Sequence, residues 1–255
     1  MTKLIAVGDS FTWGSDLSDS NGRKYSNSTY SALAAKHMNY EYICAAAPGC
    51  SNSTISRRCI HHCETIKDNL FVMVMWTYTP RTEIYTKLNN PQIEKYDNFF
   101  TVSGWHGMDF DEKVQHWGAM NEGQREHFKR EHVGYEKIGV AEISRNLVKY
   151  AHDNWFYYET LKSMVMTKLY LESNNIPYLF FTACDAAKPS NMNSSDDYIE
   201  TFKNIALGAN WSNAPSLLEW SRQNNYEVGF GSHPLEPAHE AYFNEFIKTT
   251  MTCGA

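Results

Sequence analysis

No apolar run in the 255-residue sequence approaches the ~20 residues that a membrane-spanning helix requires, so no membrane partner is expected. Positive charge is also scarce, with 23 Lys and Arg against 29 Asp and Glu and a formal net charge of -6. That balance leaves no basic footprint for nucleic acid. Glycine and proline never gather into a linker, and repeats and low-complexity tracts are missing, which points to a single elaborated domain over residues 1–255. The six cysteines, Cys44, Cys50, Cys59, Cys63, Cys184 and Cys253, are scattered and do not suggest a disulfide framework. The first strand pattern starts at Lys3 and leaves no room for a leader, so a reducing, cytoplasmic setting is expected.

What is present begins with KLIAVGDSFTWG, Lys3 to Gly14. Leu4 to Val7 read as a strand buried on both faces, and Gly8 lets the chain turn so that Ser10 stands at the strand's carboxyl end. In open α/β sheets ligands bind outside the carboxyl ends of the strands. A serine there can act as a nucleophile, or it can belong to a turn without chemistry. Tyr30, Leu33, Ala34, His37 and Met38 fall at helical spacing, and Tyr40 to Ala47 reads as a second strand. A strand, helix, strand unit of this kind predicts parallel pairing with a right-handed crossover.

The turn PGCSNSTI follows, with Asn52 or Ser53 placed to cap the next helix. That helix carries CIHHC, Cys59 to Cys63, whose thiols share the face of Ile55 and Ile66, so packing is favoured over zinc binding. A third strand over Asn69 to Met75 ends in WTYTPRTE, where Arg81 and Glu83 read as a surface ion pair or as a polar wall of a cleft. From about Thr86 to Val140 the strand and helix rhythm lapses in a polar stretch rich in aromatics, Tyr96, Phe99, Trp105, Trp117 and Tyr135 among them. It reads as an insertion on the active edge that folds over the serine. Its histidines, His106, His116, His127 and His132, show no metal-ligand spacing. One long helical pattern through Leu147, Tyr158 and Leu169 leads to a fourth strand, Tyr178 to Thr182, and then to a second irregular stretch, Ala186 to Asn225. There SSDD, Ser194 to Asp197, reads as a helix cap. GFGSHP brings His233 just ahead of a proline-started final helix.

GDSFTWG, the Pro-Gly turn and the histidine before proline resemble, in this order, blocks of the GDSL or SGNH hydrolases, and in particular versions encoded by tailed phages. The resemblance implies a three-layer α/β/α sandwich with a flavodoxin-like parallel sheet. It also implies a serine esterase without metal or cofactor that acts on a small-molecule or glycan ester, with O-acetyl groups on carbohydrate preferred. Ser10 would be the nucleophile, His233 the general base, and Ser10, Gly49 and Thr77 the oxyanion donors, with Tyr78 an alternative to Thr77. Trp13, Asn52, Arg81 and Glu83 complete the candidate substrate-binding set. The family's aspartate three residues before the histidine is replaced by Phe230, and its Gly-x-Asn-Asp block is absent after the third strand. Asp185 is the first candidate for the missing acid, followed by Glu227 and Glu236, with a carbonyl near Phe230 or a bare dyad as the remaining options. The altered blocks equally admit a decayed binding protein on the same fold.

Overall fold

The computed structural model describes residues 1–20, 24–85, 99–117, 122–229 and 231–253. Phe230 and Tyr96 lie outside the described residues, as do the side chains of Phe99, His116 and Trp117. The chain divides into two compact units, Met1–Thr79 with Tyr157–Ala255, and Pro80–Phe156.

In the first unit, β1 (Lys3–Val7) runs into a single helical turn, α1 (Ser10–Trp13), followed by α2 (Tyr30–Met38), β2 (Glu41–Cys44), α3 (Asn52–Ile66) and β3 (Leu70–Trp76). β1 pairs in parallel with β2, Lys3 opposite Glu41, and with β3, Lys3 opposite Leu70. The strand order β2-β1-β3 means that the chain leaves β1 toward one side and returns across it to the other. Right-handed crossovers then place α2 and α3 on opposite faces, and the crevice opens at the carboxyl ends of β1 and β3. β2 is shorter than its apolar pattern suggests. It is an edge strand, half-buried, and its pairing continues only as single hydrogen bonds, Ala45 N–H to Ala6 C=O at 2.8 Å and Ala47 N–H to Gly8 C=O at 3.2 Å.

The second unit opens with an antiparallel hairpin, β4 (Arg81–Tyr85) and β5 (Phe99–Ser103), and continues through α4 (Gly104–Gly107), α5 (Phe110–Trp117), α6 (Glu122–Lys137) and α7 (Val140–Tyr150). The lapse of pattern expected here therefore hides a hairpin and helices. These elements close around a small aromatic centre: the Lys113 ammonium lies over the rings of Trp105 and Tyr135 at 5.3 and 5.5 Å and 3.3 Å from His132 Nδ1. His106 packs edge-on to Tyr135 at 4.7 Å, and burial pushes its imidazolium down to about 4.

The single long helix expected through Leu147 and Leu169 is two, because His152 restarts it. Its carbonyl takes Trp155 N–H at 2.9 Å and its Nδ1 takes Asn154 N–H at 3.1 Å, which caps α8 (Asp153–Ser173).

α8 joins α3 through Thr167 Oγ1 to Ser56 Oγ at 2.8 Å. β6 (Tyr178–Thr182) then completes a four-stranded sheet, β2-β1-β3-β6, pairing in parallel with β3. Phe180 carries a further parallel bridge to Trp211. Two 3-10 turns, Asp185–Ala187 and Pro189–Asn191, precede α9 (Asp197–Leu207), which Asp196 caps as its acidic sequence predicts. α10 (Leu217–Gln223), α11 (Glu236–Tyr242), a π-helical turn at Phe243–Ile247 and α12 (Lys248–Cys253) follow. The last three pack on α2. The result is a three-layer α/β sandwich with a parallel sheet, whose strands β1, β3 and β6 are almost wholly buried.

Two local expectations change. α3 is capped by Ser51, whose side chain accepts Thr54 N–H, and not by Asn52 or Ser53. The proline in the first turn of α11 is Pro237, while Pro234 sits in an antiparallel bridge with Val228.

Candidate active site

The first element of the site is the turn after β1. A Cβ at Gly8 would stand 2.2 Å from Thr12 Oγ1 and 3.2 Å from Met75 Cβ, so only glycine lets the chain pass between α1 and β3. Asp9 then caps α1: one carboxylate oxygen takes Phe11 N–H at 3.0 Å and the other takes the Thr77 hydroxyl at 2.5 Å. Ser10 is thereby held as the first residue of the helical turn, which Gly14 ends in the left-handed region at φ 77°.

The second element is a tight turn near the other end of the chain. Ser232 N–H donates to Gly229 C=O at 3.0 Å, Gly229 N–H donates to His233 C=O at 2.8 Å, and Ser232 takes φ 58°. This turn presents His233 so that Nε2 lies 2.8 Å from Ser10 Oγ, with the ring edge-on to Phe11. The order Ser10 to His233 spans nearly the whole chain, yet the two side chains make a direct hydrogen bond.

The third element is Asp16, on the loop that leaves α1. Its Oδ2 lies 2.9 Å from His233 Nδ1 and also accepts Gly231 N–H at 2.9 Å. Burial pushes the Asp16 carboxyl up, but the hydrogen bond and charge of His233 together with the Gly231 amide outweigh it and hold the group below the ordinary carboxylate range. The glycines beside the histidine now have a reason. A Cβ at Gly229 would stand 2.5 Å from Asp16 Oδ2, and one at Gly231 would stand 2.3 Å from the His233 ring.

The acid at His233 is therefore Asp16 and not Asp185, Glu227 or Glu236. Asp185 follows β6 as expected, but its carboxylate is bound to Ser216 Oγ and to Lys188 Nζ, the latter at 2.6 Å. Glu236 accepts the Ser18 amide N–H at 2.5 Å. Asp16 carries no strand or helix pattern of its own. The one signal for it in the sequence is the Gly-x-Gly before Ser-His, which clears space for a side chain arriving from elsewhere.

The remaining candidates divide. The Pro48-Gly49 turn follows directly on the hydrogen bond from Ala47 N–H to Gly8 C=O, and Gly49 takes φ 75° with open space around its Cβ position. Among the described residues the amide hydrogens of Ser10 and Gly49 meet no protein acceptor. Thr77, by contrast, has both donors engaged: its hydroxyl donates to Asp9 and its N–H donates to Asn52 Oδ1 at 2.8 Å. Asn52 is buried and also donates from Nδ2 to Thr77 C=O at 3.0 Å and to Thr160 Oγ1 at 3.1 Å, so its amide is a strut and not a substrate contact. Trp13 is buried against Tyr25. Arg81 and Glu83 stand on β4 of the second unit, opposite Ser103 and Thr101.

On α3, Cys59 and Cys63 are buried in the core with Ile55. Among the described residues, no three His, Cys, Asp or Glu side chains gather as metal ligands would. No described helix is long and apolar enough to cross a membrane.

Comparison with protein-family models and with the curated proteins finds no match. Among solved structures, the chain is similar to the crystal structure of a member of the lipolytic protein G-D-S-L family from Veillonella parvula DSM 2008. The two are 12% identical, with 98% of this chain and 97% of that chain covered and a TM-score of 0.45.

Proposed function

We propose that this protein hydrolyses carboxylic esters by a serine mechanism of the GDSL type. The observation that carries the reading is the continuous relay Ser10 Oγ, His233 Nε2, His233 Nδ1, Asp16 Oδ2, with links of 2.8 and 2.9 Å. In the first half-reaction Ser10 Oγ attacks the ester carbonyl carbon and gives its proton to His233 Nε2. The carbonyl oxygen becomes an oxyanion facing the amide hydrogens of Ser10 and Gly49. Collapse of that intermediate expels the alcohol, which takes the proton from His233, and leaves an acyl group on Ser10. In the second half a water gives its proton to His233 as it attacks the acyl carbon, and the carboxylic acid departs as Ser10 is reprotonated. Asp16 keeps the proton on Nδ1 and stabilises the imidazolium formed in each half.

The family's own acid position is lost here and Asp16 stands in for it at His233, which answers one of the two altered blocks that support a decayed binding protein. The finer readings, O-acetyl groups on a glycan as substrate and a phage-encoded source, rest on the sequence resemblance and on the abundance of tyrosine and tryptophan, whose rings suit stacking on sugars. The test is labelling by a fluorophosphonate probe together with turnover of p-nitrophenyl acetate. The wild type should be labelled at Ser10, and Ser10→Ala and His233→Ala should each abolish labelling and turnover. Ester turnover that survives both substitutions would end the reading. Release of acetate from an acetylated glycan in preference to the aryl ester would support the subclass.

A further inference from the structure

A catalytic acid on a loop has to be held as closely as one on a strand, because displacement by about 1 Å costs on the order of 100-fold in rate. Asp16 stands on such a loop. Its surroundings are braced locally: Leu17 N–H donates to Gly14 C=O at 3.2 Å, the Leu17 side chain is buried, and Asp19 Oδ2 takes Asn27 N–H at 2.8 Å. These contacts fix the loop on its own side and do not reach the segment that carries His233.

Among the described residues Ser18 reaches it, through Glu236, outside Asp16's own carboxylate. Ser18 N–H donates to Glu236 Oε1 at 2.5 Å. Ser18 lies two residues beyond Asp16, and Glu236 lies three beyond His233. The Asp16–His233 and Ser18–Glu236 hydrogen bonds therefore close a ring through two short pieces of chain, and neither loop can slide without breaking one of them. Glu236 is itself fixed, because it sits in the first turn of α11 where the helix dipole favours a carboxylate. Burial pushes its carboxyl up, and the Ser18 hydroxyl and amide with its own amide outweigh that and keep it ionised.

We propose that Glu236 is a positioning residue for the Asp16–His233 pair, acting by the reach of its side chain to the Ser18 amide. The proposal rests on the reading of Ser10, His233 and Asp16 as the reacting relay. It separates reach from charge, which two conservative variants can test. Glu236→Gln keeps the length and an oxygen acceptor but loses the charge. Glu236→Asp keeps the charge at the helix terminus but withdraws it by one methylene.

The experiment measures kcat and KM for an aryl acetate, the downfield proton resonance of His233 Nδ1–H, and the melting temperature of each variant. Glu236→Asp should lower kcat by roughly 10- to 100-fold with KM within about twofold, and should weaken or shift the resonance while the protein stays folded. Glu236→Gln should retain most of kcat and the resonance. In an Asp16→Asn background, Glu236→Asp should cost nothing further, since the group it positions is gone. Wild-type kcat and resonance in Glu236→Asp, equal damage in both variants, or a full additional loss in the Asp16→Asn background would each overturn the proposal. If the wild type cleaved no ester, the functional reading would fall while the resonance would still decide whether Glu236 holds the pair.

Discussion

Asp16 and His233 are 217 residues apart in sequence and meet at 2.9 Å, with the acid supplied from the loop just after the nucleophile. In a serine relay such an acid fixes the tautomer, and its loss costs on the order of 10⁴-fold in kcat. Asp16→Asn should therefore lower kcat by roughly 10³- to 10⁴-fold with the fold intact by circular dichroism. Asp185→Asn, which disturbs only the contacts with Lys188 and Ser216, should stay near wild type in turnover. The reverse ranking would remove Asp16 from the mechanism.

The glycines around the relay should differ sharply among themselves. At Gly231 an added methyl meets the His233 ring and at Gly229 it meets the Asp16 carboxylate, so Gly231→Ala and Gly229→Ala should each abolish most turnover with a small change in melting temperature. At Gly49 an added methyl meets nothing, and the cost is the left-handed backbone, about 1–2 kcal/mol. Gly49→Ala should therefore show mainly as a stability loss with partial activity. Equal activity losses at all three positions would mean that steric exclusion beside His233 is not what these glycines provide.

Much of this arrangement is legible in the sequence, for physical reasons that differ by element. β1, β3 and β6 are buried on both faces, so they read as unbroken apolar runs, and the turn after β1 presents Ser10, whereas Gly49 and His233 stand out in the sequence through the resemblance of their turns to family blocks. Asp16 could not be placed, because a loop acid is defined by what it meets and not by any period. The second unit was opaque for another reason. α6, EGQREHFKREHVGYEK, presents most of its length to solvent, and its unit closes over a small centre around Lys113, so no long apolar stripe exists to announce it. The break between α7 and α8 is likewise set by a histidine cap, a role that carries no pattern signal.

Asn52, one of the candidate substrate-binding residues, spends its side-chain amide on Thr77 and Thr160. Truncation would take away the hydrogen bonds that Asn52 supplies to the Thr77 amide and carbonyl in the interior, where losing a partner costs about 1–3 kcal/mol. Asn52→Ala should lower unfolding free energy by about 2–4 kcal/mol and leave KM close to wild type, as read by urea denaturation and steady-state kinetics. A large rise in KM at unchanged stability would return Asn52 to the substrate site.

The acid limb of stability should come from His239 first and Asp16 second. His239 is fully buried, stacked on Tyr30, with Nδ1 accepting Tyr30 N–H at 3.3 Å, and burial pushes its imidazolium down to about 4 against the opposing pull of Glu236. In the unfolded chain the same ring titrates near ~6.5. The folded state thus binds the proton less readily than the unfolded one. Its stabilising share is complete above the unfolded value and is lost as pH falls from about 6.5 toward the folded value of about 4. Asp16, held below the ordinary carboxylate range, contributes above its unfolded value of ~3.9, and its share is lost only as pH falls through the lower folded value. Unfolding free energy measured in urea should therefore decline between pH 6.5 and 4 and decline further below it. His239→Gln, which keeps a polar side chain but cannot titrate, should flatten the upper segment by up to roughly 3 kcal/mol. A residual slope from the buried His106 of the second unit should remain, since that ring is also pushed down to about 4. Parallel curves for wild type and His239→Gln would show that His239 takes up its proton in the folded protein as freely as in the unfolded chain, contrary to its burial against Tyr30.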